Sequence, residues 1–89
     1  MEKRIGSAII LVEEPSVVST LNQILSNHSD IIIGRQGIPL RDRNVSVISL
    51  VLEGSTDEIG SLTGQIGRLK GIQVRSVLTK PRENNYEKN

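Results

Sequence analysis

Three stretches of the chain are rich in β-branched and aliphatic residues and lack a helical period: RIGSAIILV at 4–12, VSVISLVLE at 45–53 and IQVRSVLT at 72–79. Such runs predict strands. A shorter run, Ile31 to Ile33, predicts a fourth strand, disturbed by Gly34 and Gly37 and closed by Pro39, with PLRDRN (39–44) as a polar connection. Between the strands the apolar residues change to helical spacing. Val17, Val18, Leu21, Ile24, Leu25 and His28 share one face of a helix expected from Pro15 to His28. Pro15 suits a first helical turn, where its missing N–H costs nothing, and Glu13-Glu14 suit the positive end of the helix dipole. Ile59, Leu62, Ile66 and Leu69 define a second helix that ends near Lys70. Ser55-Thr56-Asp57-Glu58 has the form of a capping box at its start, and Gly71 stands where a left-handed cap is wanted.

The order β-α-β-β-α-β contains an internal repeat. Val18, Leu21, Leu25 and His28 match Ile59, Leu62, Ile66 and Leu69 at a constant offset, and Leu11-Val12-Glu13 matches Val51-Leu52-Glu53 ahead of each helix. Two βαβ halves of this length predict an α+β, ferredoxin-like βαββαβ sandwich: a four-stranded antiparallel sheet with two helices on one face. Residues 1–80 read as a single domain. Residues 81–89 read as a polar, disordered C-terminal tail. The start, MEKRIGSAIILVEE, leads straight into two glutamates and reads as a strand and not as a signal peptide.

The strands carry more apolar surface than two helices can cover. Ile5, Ile9 and Leu11 lie on one side of the first strand and Ala8, Ile10 and Val12 on the other; Val45, Val47 and Val51 oppose Ile48, Leu50 and Leu52 in the third. Strands apolar on both faces are covered on both faces, and a second copy of the chain is the simplest cover. The second helix adds a further signal. Gly60, Gly64 and Gly67 fall together, away from the apolar stripe, at a summed helix-propensity cost of ~2–3 kcal/mol. Close approach by another chain or a ligand accounts for that cost, and the plainer alternative is a bare exposed helix. The expected oligomer interface is therefore Ile5, Ile9, Leu11, Val45, Val47, Val51, Gly60, Gly64 and Gly67.

Composition narrows the chemistry. The 89 residues include no Cys, Phe or Trp, one Tyr and one His. The core must be aliphatic, thiolate chemistry is excluded, and the lack of cysteine fits a cytoplasmic location. No apolar run reaches the ~18 residues of a membrane span. A net charge of +1 is not the balance of a nucleic-acid binder, and a sheet without aromatics has nothing on which to stack bases. A lone histidine makes no metal site, and His28 reads as a core-edge residue. Glu13 and Glu14 are adjacent and not a spaced catalytic pair. GRQGIP (34–39) follows a strand but opens no helix, so it is not a phosphate loop. No enzyme, metal or cofactor is expected.

The stretches SDIIIGRQGIP and VSVISLVLEGSTDEIGSLTGQIGRLKGIQVRSVLTK resemble the small ACT-like regulators of the iron-only hydrogenase system, over roughly residues 3–80. The specific parts are Gly34-Arg35, Gly37-Ile38-Pro39 and LTGQIGRLKG (62–71). The resemblance extends to the C-terminal domain of nickel-responsive repressors, but this chain lacks the histidine cluster of a nickel site. It implies an ACT-like fold, self-association as a dimer or tetramer, and a regulatory role without catalysis. A small-molecule effector and a protein partner are the partner classes implied. The alternative function is a structural adaptor for a hydrogenase-related or transcriptional protein. Relatives of this kind hold small molecules near the loop after the first strand or at a subunit boundary. Here that points to Glu13 and Glu14, which suit an ammonium group, with Gly34, Arg35 and Gly37 from the disturbed strand. Arg35 offers a planar fork for a carboxylate or phosphate; otherwise it is a solvated edge residue beside a bulge.

Overall fold

The computed structural model describes residues 2–80, so the tail expected at 81–89 lies outside the described residues. Strands β1 (Arg4–Val12), β2 (Ile32–Leu40), β3 (Val45–Gly54) and β4 (Ile72–Leu78) form one antiparallel sheet in the order β2-β3-β1-β4. Helices α1 (Val18–Asn27) and α2 (Thr56–Gly67) follow β1 and β3. Their buried faces, Leu21 and Leu25 of α1 with Ile59, Leu62 and Ile66 of α2, share one core with Ala8, Ile10, Val12, Leu50 and Leu52 of the sheet. Both helices therefore cover the same side, and the fold is the ferredoxin-like sandwich that the element order predicts.

The core side chains are aliphatic. Ile10, Leu21, Leu50, Leu52, Leu62 and Ile66 are fully enclosed. Ser55, the one buried polar side chain among the described residues, caps α2. Its Oγ accepts from the Glu58 N–H at 3.1 Å, and its own N–H donates to Glu58 Oε1 at 2.8 Å, which completes the reciprocal box.

Three local expectations are corrected. The segment Pro15–Val17 forms a 3₁₀ turn, so α1 begins only at Val18. Val18, expected on the buried face, is 40% exposed. Ile31 is buried within a second 3₁₀ turn, and β2 runs from Ile32 through Pro39 to Leu40. Proline is tolerated there because β2 is an edge strand, with one side of its backbone unpaired. The connection shrinks to a 3₁₀ turn at Arg41–Arg43 and Asn44, whose φ of 58° is left-handed.

Gly71 joins the two halves. Its φ of 72° is the left-handed cap expected from the sequence. Its carbonyl accepts from the Glu13 N–H at 2.8 Å, and a Cβ there would stand 2.3 Å from that of Glu14. Gly71→Ala should therefore cost more than the ~1–2 kcal/mol of left-handed strain alone. Thermal or urea unfolding reads this directly. A loss of only ~1–2 kcal/mol, the strain alone, would show that the loop after β1 yields easily.

Candidate functional site

The register sorts the sheet residues by face. Ser7, Ile9 and Leu11 of β1 stand opposite Val51, Ser49 and Val47 of β3. Their edge neighbours are Val77, Arg75 and Gln73 of β4 and Gly34, Gln36 and Ile38 of β2. This is the side away from the helices. Ile9, Ile38, Val51 and Val77 are exposed on it, and Ile5, Leu11, Val45 and Val47 are half-buried. The six strand residues singled out from the sequence thus lie on one continuous open face. Its central strands carry no charge between Glu53 at one end and Glu13 at the other.

The glycine strip lies elsewhere. Gly60, Gly64 and Gly67 are exposed on α2. A Cβ at Gly60 or Gly64 would meet nothing within 4 Å, while one at Gly67 would touch Val74 Cγ1 at 3.5 Å, an ordinary contact.

The five ligand candidates divide into separate places. Arg35 sits on edge strand β2, on the helix side opposite Leu50, and its Nη2 donates to Asn22 Oδ1 of α1 at 3.1 Å. Together with Leu25, Ser26, Ser29 and Ile32 this pair lines a cavity of about 250 Å³. Gly37 lies on the same face two residues on, with open space above it. Gly34 faces the other way, opposite Val51. Glu13 and Glu14 are near the far edge. Glu13 Oε1 accepts from Gln73 Nε2 of β4 at 3.4 Å, and Glu14 Oε2 accepts from Ser16 Oγ at 2.9 Å. Since β3 and β1 separate β2 from β4, about three strand spacings, or ~14 Å, lie between the glutamates' edge and Arg35. The two glutamates and Arg35 do not form one pocket.

Asn22, Ser26 and Ser29 were not singled out from the sequence. Their signal is the spacing i, i+4, i+7, which collects amide and hydroxyl groups on one side of α1 and its following turn. His28 is half-buried, and its Nδ1–H donates to the Ile24 carbonyl at 2.8 Å, which fits the core-edge reading. Among the described residues, no group of three or more His, Cys, Asp or Glu side chains is placed to hold a metal ion. No helix among them is long and apolar enough to cross a membrane.

A small ferredoxin-like sandwich with an uncovered apolar sheet face and a polar crevice at its edge is the class these observations define. The chain belongs to the TM1266-like family, described as "iron-only hydrogenase system regulator, putative", which matches residues 4–76. It is similar to the uncharacterised protein TM1266 from Thermotoga maritima, at 36% identity and a TM-score of 0.84, covering 89% of this chain and 100% of that one. Two more distant structures share the fold alone. A protein of unknown function from Galdieria sulphuraria has a TM-score of 0.61 at 11% identity, over 94% of this chain and 49% of that one. The de novo designed protein Foldit4 has 0.57 at 16%, over 91% and 100%. No curated protein matches the sequence.

The strip on α2 yields a direct test. Within one chain, a methyl group at position 60 or 64 meets nothing, so Gly60→Ala and Gly64→Ala should each stabilise the fold by ~1 kcal/mol. Melting temperature and solution mass are measured together. A fall in either would place a second backbone against the strip.

Proposed function

We propose that the chain is a non-catalytic regulatory module of an iron-only hydrogenase system, acting in the cytoplasm as a dimer or tetramer, and that it senses an anionic small molecule at Arg35. The family description supports the regulatory role. The observation that carries the assembly is the open face of β1 and β3, where Ile9 and Val51 are exposed in the centre of the sheet. Four strands at ~4.8 Å spacing and about nine residues at ~3.3 Å give a face of roughly 19 by 30 Å. Before side-chain relief is counted, that is on the order of 600 Å², close to the ~800 Å² per partner of a standard interface. Ser7, Ser49 and Gly34 leave low points between Ile9, Val51 and Ile38, a relief suited to interdigitation with a like surface.

Arg35 supports the sensing role. Its cavity offers a guanidinium, two hydroxyls and an amide, and no carboxylate lines it. That donor set suits a carboxylate or phosphate group. A ligand there would touch α1 and β2 together and so bear on the edge of the sheet that carries the open face.

Light scattering at micromolar concentration should give at least a dimer mass, and Ile9→Lys or Val47→Asp should lower it. A monomer mass for the wild type would remove self-association and favour the adaptor reading, in which the same face docks on a hydrogenase-related or transcriptional protein.

The ligand is sought by thermal shift with small carboxylates, phosphates and amino acids, since a molecule that binds only the folded state raises its melting temperature. Arg35→Lys keeps the charge but loses the planar fork, so calorimetry should show affinity weakened by ~1 kcal/mol or more with the fold intact. Equal affinities would remove Arg35 from the site.

A further inference from the structure

The backbone bonding of both sheet edges follows from one fixed point. Thr79 donates its N–H to the Ile5 carbonyl at 2.9 Å, so Ile5 turns its backbone groups toward β4. Successive residues of an antiparallel strand alternate in direction. Ser7, Ile9 and Leu11 therefore also bond β4, while Gly6, Ala8, Ile10 and Val12 bond Leu52, Leu50, Ile48 and Ser46 of β3. Val45, Val47, Ser49 and Val51 are left to face β2, where they oppose Leu40, Ile38, Gln36 and Gly34. The backbone groups of Arg35, Gly37 and Pro39 consequently point away from the sheet. Pro39, which has no N–H, stands where β3 needs none. By the same count, Val74 and Ser76 point outward from β4.

The two edges match but are not alike. A shift of 40 residues carries β1 onto β3 with the same faces, and Leu21 and Leu25 of α1 match Leu62 and Ile66 of α2. Val74, Ser76 and Leu78 then match Arg35, Gly37 and Pro39. The β4 edge is closed against α2. A Cβ on Gly67 would touch Val74 Cγ1 at 3.5 Å, and a Cβ on Gly6 would stand 2.7 Å from Leu78 Cδ2. The outward carbonyl of Val74 accepts from Arg75 Nη1 at 2.9 Å. The β2 edge is open. A Cβ on Gly37 would meet nothing within 4 Å. To one side of it α1 and Arg35 enclose the 250 Å³ cavity, and to the other Val18, Pro39 and Ser46 border one of about 190 Å³. Val18 is 40% exposed, whereas its counterpart Ile59 is 2% exposed. Helix α1 and strand β2 thus bound a groove with a free strand edge along one side.

We infer that this groove takes an extended segment of another protein as a fifth strand on β2, with an acidic side chain of that segment on Arg35. Strand addition draws affinity from main-chain bonds and specificity from alternate side chains. The edge offers the N–H and C=O of Arg35 and Gly37 and the C=O of Pro39. In an antiparallel pair, opposite residues share a face. The residue opposite Arg35 therefore lies beside the guanidinium on the helix side. The residue two places before it lies over Gly37, in the open space next to Pro39. The segment selected is apolar–x–acidic. Charge favours the acid: the chain has no Asp, Glu, Lys or Arg from Pro15 to Ser29, and Arg35 is the one charged residue of β2. Asn22 takes one of the five guanidinium N–H groups, so a bidentate carboxylate still fits. A second copy of β2 would instead bring a second Arg35 to the same edge. The proposal rests on the reading of Arg35 as an anion receptor and adds that the anion is carried on a strand.

The probe is the blocked peptide acetyl-Ser-Thr-Leu-Thr-Glu-Thr-Ser-amide, titrated into isotopically labelled wild-type protein and followed by amide chemical shifts. The controls are the same peptide N-methylated at its Leu and Glu amides, which blocks bonding to the edge, the same peptide with Gln for Glu, and free glutarate. Saturable shifts are expected for the acidic peptide at residues 34–38 and 22–29. The N-methylated peptide should not bind, and the Gln peptide should bind about tenfold more weakly. In the protein, Arg35→Gln should weaken the acidic peptide about tenfold. Gly37→Leu, whose Cβ has open space, should keep the fold and weaken it at least as much. Equal binding of the N-methylated peptide, or a response to glutarate alone, overturns strand addition and leaves Arg35 an anion receptor. Silence of peptide and glutarate alike removes both readings. A wild-type edge closed to the peptide, with a solution mass that falls in Gly37→Leu, puts a second copy on β2 and also overturns the proposal.

Discussion

The central pair of antiparallel strands is the constraint from which the rest of the molecule follows. β1 and β3 lie side by side with Ile9 opposite Ser49, and each is apolar on both faces. On one face the pair forms the floor on which α1 and α2 pack. On the other it presents an apolar surface that none of the described residues covers. The outer strands are more polar, as edges must be if they are not to pair indiscriminately. Gln73 and Arg75 stand on β4, and Arg35 and Gln36 on β2 beside a register shift between Ile32 and Gly34. The core is made without aromatic rings, so it depends on close fitting of leucine and isoleucine, and single methylenes matter.

The features most legible in the sequence were those set by periodicity and by local hydrogen bonding. The alternation in β1, β3 and β4 gives the faces that the register shows. The Ser55–Glu58 box and the left-handed Gly71 follow from backbone groups that need partners at a helix end. What escaped depends on tertiary placement. Ile31 looked like the start of a strand because it is apolar and β-branched, but it is spent closing the core from a turn. Pro39 looked like a strand end because proline lacks a donor; only the knowledge that β2 is an edge makes it a strand residue. Val18 matched Ile59 in the repeat, yet one missing methylene and a proline across from it leave it exposed. The grouping of Glu13 and Glu14 with Arg35 rests on a resemblance and on complementary charge, and within one chain the sheet order sets Arg35 on edge strand β2 while Glu13 reaches Gln73 of β4. Asn22 and Ser26 drew no notice, since isolated polar residues on a helix read as solvated surface.

The chain combines a generic scaffold with unevenly used surfaces. Similar backbones occur at 11% and 16% identity, so the scaffold alone carries no function. Where two matching halves have diverged, the differences fall at places open to solvent. One half closes over Gly6, and the other stays open over Ser46. One helix bears amides and hydroxyls toward β2, and the other bears glycines. A duplicated fold keeps its stability in the shared positions, Leu21 with Leu62 and Leu25 with Ile66, and is free to vary the rest.

The position of β1 also governs how the chain is made. It is synthesised before both of its partners, residues 46–54 and 72–78. Arg4 pairs with Gly54 and Gly6 with Leu78, and Thr79 closes the strand by donating both its N–H and its hydroxyl to the Ile5 carbonyl. The strand must therefore wait with both edges unpaired until residue 54 has been synthesised, and with one edge unpaired until residue 78. Contacts so distant in sequence slow folding, and they leave the nascent segment exposed to aggregation or to holding factors in the meantime. A chain cut short before residue 72 leaves β1 with an open edge in the middle of what should have been the sheet, so premature termination yields a sticky fragment and not a smaller working domain.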